Sequence, residues 1–417
     1  MTGSTKRGLV PKLRFPAFRD VGEWEEVPLS ELVGSLDAGV SVNSGDRPAT
    51  GNEIGVLKTS AVTNGIFEPQ ENKVVFDEVE IGRVKESVQG DTIIISRMNT
   101  PALVGANAYV KTSLEHLFLP DRLWAAKSKP GTSMRFVALI LGSDKGRAAL
   151  SKLAKGSSGS MKNITKPDVL AFLIMAPSPK EQQKIASCLT TLDDLITAQT
   201  QKLDTLKTHK KGLMQQFFPA EGETLPKLRF PEFRDAGEWE ERNLGRVAVN
   251  LDNRRVPITS GERVAGEIPY YGASGVVDYV KGFIFDEDLL CVSEDGANLV
   301  ARTYPIAFPI SGKTWVNNHA HVLRFENPCT QKFVDVYLNS IKLDDFITGM
   351  AQPKLNKAML DSIPIPWPTD PEQQRIADCL TSLDDLITAQ TQKLAALKTH
   401  KKGLMQQLFP SLKEVEA

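Results

Sequence analysis

Apolar residues fall at Ile185, Leu189, Leu192, Ile196, Leu203, Leu206 and Leu213, in alternating steps of three and four once Gln199 and Lys210 are counted as polar breaks in the seam. This is the spacing of one helix face. The series returns at Ile376, Leu380, Leu383, Ile387, Leu394, Leu397 and Leu404, with Gln390 and Lys401 as the same breaks. A stripe of this kind predicts a coiled coil. About 35 residues at the helical rise span on the order of 50 Å, too far to bury the stripe inside one small domain, so the two copies are expected to pair. A chain that leaves along one helix, builds a domain and returns along the other favours an antiparallel pair, with the glutamines helping to fix register. Lys207, Lys210 and Lys211 suit the negative end of the first helix, and Gly212 followed by Phe217, Phe218 and Pro219 is read as its exit.

The helices belong to a larger internal repeat. PKLRFPAFRDVGEWEE at Pro11 to Glu26 returns as PKLRFPEFRDAGEWEE at Pro226 to Glu241, with 14 of 16 positions identical. The segment from Glu181 to Pro219 returns from Glu372 to Pro410 with 33 of 39 identical. Between the copies lie the dissimilar stretches Val27 to Lys180 and Arg242 to Pro371, each the size of one domain. The expected order is a strap at 1–26, a variable globular unit at 27–180, a helix at 181–219, a second strap at 220–241, a second variable unit at 242–371 and a second helix at 372–417. The fold class expected is mixed α/β (α+β), with two such domains separated by two long antiparallel coiled-coil helices in a pseudo-twofold repeat. In the straps, Pro16 and Pro231 impose extended backbone, Gly22-Glu23-Trp24 and Gly237-Glu238-Trp239 turn into a strand, and the phenylalanines are expected anchors. DNA contact by Lys12, Arg14 and Arg19 is the weaker reading, because repeated scaffold contributes little to sequence reading.

Composition changes this picture only locally. The net charge of −1 does not announce a nucleic-acid partner, but residues 97–180 carry a net +9 and residues 27–96 a net −6, so the first unit is expected to be electrically polarised. The longest apolar run, Phe136 to Leu141, is far too short to span a membrane, and no apolar segment follows the polar start, so a cytoplasmic protein is expected. Cys188, Cys291, Cys329 and Cys379 show no CxxC spacing, which suits reduced structural thiols.

Taken with the duplicated straps, the helices that open EQQ and carry LDDLI resemble the specificity subunit of type I restriction enzymes, and the likeness covers the whole chain. The run Ser311 to Val322, SGKTWVNNHAHV, is similar to second-domain sequences in that family. The resemblance implies that each variable unit is a target-recognition domain reading one half of a split double-stranded DNA target, with the helices as a ruler. Two methyltransferase subunits dock beside them and restriction/translocase subunits join. It also implies a chain that is not itself an enzyme and binds no cofactor, with S-adenosylmethionine, ATP and Mg on the partner subunits. Two dissimilar readers imply an asymmetric target.

Candidate contacts follow from side-chain chemistry. Arg97 and Asn99, after an expected strand from Asp91 to Ser96, are base-capable groups at a strand exit. The Gly/Ser loop with Lys155 and Lys162 at its ends is a phosphate clamp or an ordinary loop. In the second unit Arg254, Arg255 and the segment Asp295 to Asn298 are the counterparts, or turn chemistry; Asn317, Asn318 and His319 have base-edge or structural roles. Arg122, Lys127, Lys129, Lys313 and Lys354 complete the list of expected DNA-binding residues. Ala307 to Thr314 resembles a P-loop ending, but its first glycine is missing and an alternating strand follows Lys313, so nucleotide binding is not expected. His319 and His321, read as one strand face, suggest a metal site together with Asp295; packed strand histidines are the commoner outcome and no metal site is expected. There is no Asn-Pro-Pro-aromatic tetrapeptide, no Gly-rich cofactor turn and no convincing nuclease constellation. The alternatives are a nucleotide-binding enzyme built on SGKT and a coiled-coil adaptor without DNA.

Overall fold

The computed structural model describes residues 8–155, 161–220, 222–349 and 352–410. It forms two compact units, one from residues 1–197 with 396–417 and the other from 198–395. Each long helix therefore contributes one part to each unit.

In the first unit, a central antiparallel sheet runs in the order Val33–Ala38, Leu123–Ser128, Thr92–Ser96, Asn107–Val110. All of Thr92–Ser96 is buried, because both faces of this sheet are covered. Ile93 and Ile95 pack with the helices, while Ile94 faces a second sheet. That sheet has the order Asn72–Val74, Gly55–Leu57, Leu114–Phe118, Ser87–Val88, with Gly55–Leu57 and Leu114–Phe118 parallel.

The second unit repeats this plan in unrelated residues. Its sheets run Val249–Asn250, Ala320–Arg324, Leu289–Ser293, Ala307–Ile310, and Gly275–Val280, Ala265–Gly272, Lys313–Val316, Phe285–Asp286. In sequence order both units have strands 1-4-2-3 in one sheet and 2-1-4-3 in the other, with strands 1 and 4 parallel in the latter. Leu290 and Val292 face the helices, whereas Leu289 and Cys291 face the second sheet. Burial pushes the Cys291 thiol up, which suits an inert core residue.

Each unit is closed by its strap. Trp24–Pro28 pairs antiparallel with Leu173–Ala176, and Glu240–Asn243 pairs with Pro364–Trp367. The long helices cover Pro179–Phe217 and Asp370–Leu408, 39 residues each. In the first unit Ile185 and Leu189 pack near Leu404 and Leu408; in the second, Leu213 and Phe217 pack near Ile376 and Leu380. Within either unit the beginning of one helix meets the end of the other, the antiparallel arrangement expected.

Several local expectations are corrected. Gly212 lies inside the first helix, which ends at Phe217 because Pro219 has no N–H to continue it. Pro16 and Pro231 open short 3-10 turns; the extended residues are Phe15 and Phe230, whose conformation the following proline restricts. The strand expected from Asp91 starts at Thr92, since Asp91 has φ +53°. The alternation after Lys313 is two strands, Lys313–Val316 and Ala320–Arg324, separated by a turn at 317–319. His319 lies in that turn and does not share a strand face with His321.

Candidate nucleic-acid interface

The strap supplies the rigid base. Arg14 is buried and reaches both carboxylate oxygens of Glu181, at 2.8 and 2.7 Å, while the Trp24 indole donates to the same carboxylate. Arg229, Glu372 and Trp239 repeat the knot at 2.7, 2.8 and 3.2 Å. A bidentate guanidinium satisfies a buried carboxylate that would otherwise be costly. The expected anchors Phe15 and Phe230 pack partly buried against their cores, beside the buried strap tryptophans Trp24 and Trp239.

In the first unit the central strand continues into a short ribbon. Met98–Asn99 pairs with Lys162–Asn163, Lys155 bridges to Asn163, and the Ile164 N–H donates to the Arg97 carbonyl. Arg97, Asn99, Lys155 and Lys162, far apart in sequence, thus share one edge. Residues 156–160 of the expected Gly/Ser clamp lie outside the described residues. Arg97 donates from Nε to the Asp121 carbonyl at 2.6 Å, and Arg122 is exposed beside it. The Asn99 side-chain Oδ1 accepts the Thr100 N–H, and its Nδ2 donates to Ser96 Oγ across a long 3.4 Å. Lys155 pairs with Asp168 at 2.8 Å, and that hydrogen bond holds the Asp168 carboxyl below its ordinary range.

Below the ribbon is an open cleft of about 460 Å³ lined by Arg97, Asp121, Trp124, Asn163 and Lys166 among others. Lys166 lies 5.9 Å from the Trp124 ring centroid. Neither residue was singled out from the sequence. The available signal was Thr165, which caps the helix Lys166–Leu170 and so fixes where that lysine emerges. Lys127 and Lys129 sit toward the other end of strand Leu123–Ser128. Lys127 bridges Asp37 and Glu86 at 3.0 and 2.8 Å, and the hydrogen bond to Glu86 raises its pKa despite burial.

The equivalent edge of the second unit is built from different chemistry. Asp295 bridges to Lys354 where the first unit has its ribbon, and His319 contacts the Asp295 carboxylate at 2.7 Å. Lys354 reaches Glu294 at 3.2 Å, and exposed Asn318 lies next to His319 in the same turn. Asn317 is buried and accepts the His319 N–H, so it shapes the turn. Arg255 is engaged within the fold: it donates to the Asp252 and Ala320 carbonyls and pairs with Glu294 at 2.6 Å and Asp252 at 3.4 Å. Asn298 is buried and ties the Thr303–Tyr304 backbone. Arg254 stacks on Phe285 and pairs with Glu287, and Lys313 lies over Phe283, both away from this edge.

Asp252, Glu294 and His321 do converge, with ligand-capable atoms within 4.8 Å of one another. Of the sequence candidates His319, His321 and Asp295, only His321 belongs to this cluster. His321 is buried and its two ring nitrogens face Asp252 at 2.6 Å and the Leu355 carbonyl at 2.7 Å. Arg255 supplies the positive charge at the centre of the cluster, so the residues form a hydrogen-bonded ion network. Burial opposes charge on Asp252, but hydrogen bonds from His321 and the Val322 N–H, with Arg255 nearby, hold its carboxyl below the ordinary range. Lys313 begins a strand after a turn at Gly312, so no helix N-terminus presents amides to a phosphate there.

Residues 22–208 and 236–399 each match the type I restriction modification DNA specificity domain. The chain belongs to this family. Among curated relatives, this member is similar to a type I restriction enzyme specificity subunit of Haemophilus influenzae, 37% identical over 152 residues, which cover 36% of the chain and 39% of the relative. It is also similar to the MjaX specificity subunit of Methanocaldococcus jannaschii, 25% identical over 273 residues, 59% of the chain and 60% of the relative. A third, the EcoEI specificity subunit of Escherichia coli, is 25% identical over 194 residues, 46% and 31% respectively. The chain thus spans between 31 and 60% of the length of these relatives. The fold is that of the S subunit of a type I restriction-modification system from M. genitalium, with TM-score 0.64 at 16% identity, covering 97% of this chain and 100% of that one. A chain from a type I R-M system described for its complex assembly and conformational transition matches with TM-score 0.51 at 16% identity, covering 93% and 98%. Among the described residues no helix is long and apolar enough to cross a membrane.

Proposed function

We propose that this chain is the DNA-recognition subunit of a type I restriction-modification complex, each domain reading one half of a split, asymmetric target. One observation carries the reading: two domains of the same topology, tied to the same Arg-Glu-Trp knots, present different chemistry at equivalent edges. The first offers Arg97, Asn99, Lys162 and the Trp124 cleft; the second offers Asp295, Asn318, His319 and Lys354. A two-stranded ribbon is of a size to enter the major groove, where arginine and asparagine read guanine and adenine edges. Different edges imply different half-sites.

On this reading the chain directs chemistry without performing it. Two methyltransferase subunits would supply S-adenosylmethionine-dependent methylation, and restriction/translocase subunits would bring ATP and Mg for cleavage. The antiparallel helices would keep the half-site separation constant, and the complex would work in the cytoplasm.

The test is a genome-wide map of methylated adenines in cells expressing the partner methyltransferase with and without this chain. A split motif with one fixed gap, seen only with the chain, is the expected result. A stable complex that methylates no defined motif would overturn target reading. Failure to form any complex would favour a coiled-coil adaptor, and nucleotide binding by the isolated chain would favour the SGKT alternative.

A further inference from the structure

Each domain meets the long helices through the same small arrangement. In the first unit, Asp193 on the long helix receives Arg135 Nη2 at 2.5 Å and Lys401 Nζ at 2.5 Å. In the second, Asp384, which stands 191 residues later in the repeat, receives Lys210 at 2.5 Å and Lys332 at 3.5 Å. The aspartates and Lys401/Lys210 come from the duplicated scaffold. Arg135 and Lys332 do not: they lie in the dissimilar inserts, on helices Met134–Leu141 and Pro328–Ser340.

A second contact accompanies each cation two residues earlier. The Ser133 N–H donates to Gln182 Oε1 at 3.3 Å, and Thr330 Oγ1 donates to Gln373 Oε1 at 2.9 Å. Both glutamines are buried and are themselves held by prolyl carbonyls, Pro177 and Pro368. The donors differ, a backbone N–H at Ser133, whose hydroxyl accepts the Phe136 N–H, and a side-chain hydroxyl at Thr330, but each stands two residues before its cation, Arg135 or Lys332. A lysine-rich helix surface would place a cation near an aspartate by chance now and then. It would not also repeat, two residues before the cation, a donor to the buried glutamine of the same Gln-Asp pair in two otherwise unrelated domains.

We infer that Gln182 with Asp193, and Gln373 with Asp384, form a common seat for recognition domains, and that a domain fits either position when it brings a hydrogen-bond donor to the glutamine and, two residues later, a cation to the aspartate. Arg135, Lys332 and their aspartates are positioning residues: they touch no base, but they set where each reading edge stands on its scaffold. The inference rests on the proposed DNA-reading function. Ion pairs about three-quarters shielded, as Arg135, Asp193 and Lys401 are, with side-chain exposures of 24, 27 and 26%, fix an orientation better than fully solvated ones.

The test compares Asp193→Asn, Arg135→Met and Arg135→Lys in the assembled complex by methylation mapping. Asp193→Asn and Arg135→Met should leave the bases of both halves unchanged but reduce discrimination against gaps one base pair longer or shorter by about five-fold, the scale of a lost ion pair. Arg135→Lys should keep the native gap, because Lys332 does this work in the second unit. Asp384→Asn should have a smaller effect, since Lys332 retains Asp335 at 3.2 Å. A uniform loss of methylation at every gap, or an unchanged gap in both charge-removing variants, would overturn the inference. Backbone amide exchange over 134–141 reads the seat without DNA: faster exchange in Asp193→Asn but not in Arg135→Lys is expected, and equal exchange in all three chains refutes the seat. That measurement separates failure of the seat from failure of DNA reading, which an unaltered chain giving no split motif would signal.

Discussion

Gln390 donates from its side-chain amide to the side-chain oxygen of Gln199 at 2.6 Å, and the two residues hold equivalent positions in the repeat. Identical positions meeting across an antiparallel pair mark a local twofold relation between the helices. Gln390 is 7% exposed, so the contact is a polar tie inside an apolar seam.

Gln390→Leu alone should destabilise the second unit by about 1–3 kcal/mol, because it leaves the Gln199 side-chain oxygen without its donor beside an apolar side chain. The double variant Gln199→Leu/Gln390→Leu should recover that loss or exceed the parent, while relaxing helix register. Thermal unfolding of both variants decides it; a single variant as stable as the parent would mean that water satisfies the remaining glutamine.

Glu181→Ala leaves Arg14 buried without its carboxylate, and Glu372→Ala does the same to Arg229. Each should cost about 3–5 kcal/mol, confined to its own unit. Limited proteolysis should show early cleavage within 8–197 for the first variant and within 222–395 for the second.

Arg97→Ala and Arg255→Ala should behave differently although both remove an arginine near a reading edge. Arg97→Ala is expected to lose about 1–3 kcal/mol of discrimination at one position of one half-site, with stability little changed. Arg255→Ala leaves Asp252 and Glu294 facing each other with one fewer counter-charge, so reduced thermal stability is the expected result. A base-preference change in Arg255→Ala with full stability would reverse these assignments.

The Asp252 carboxyl sits below its unfolded value in the folded chain. Its stabilisation is therefore complete above the ordinary aspartate range, about pH 4, and is lost as pH falls through the folded pKa. Asp252→Asn should lower stability near neutrality and flatten the acid limb of a stability-versus-pH curve below about pH 4. An acid limb identical to that of the parent chain would assign the loss to other carboxylates.

The sequence by itself determined the repeat, the long helices and their antiparallel pairing, because a 3.5-residue seam and near-identical duplicated blocks are local signals that survive without coordinates. It also placed Arg97 and Asn99 at a strand exit. Only the tertiary structure decided that the two dissimilar inserts share one topology, since strand order depends on pairings between residues far apart, and Ile93–Ile95 and Leu290–Val292 carry the same burial pattern without the same residues. It likewise decided which cations remain at an edge. Arg255, Lys127 and Arg135 look alike in a sequence, and what separates them from Arg122 is the carboxylates that folding brings from Glu294, Glu86 and Asp193, a distinction set by distance in space.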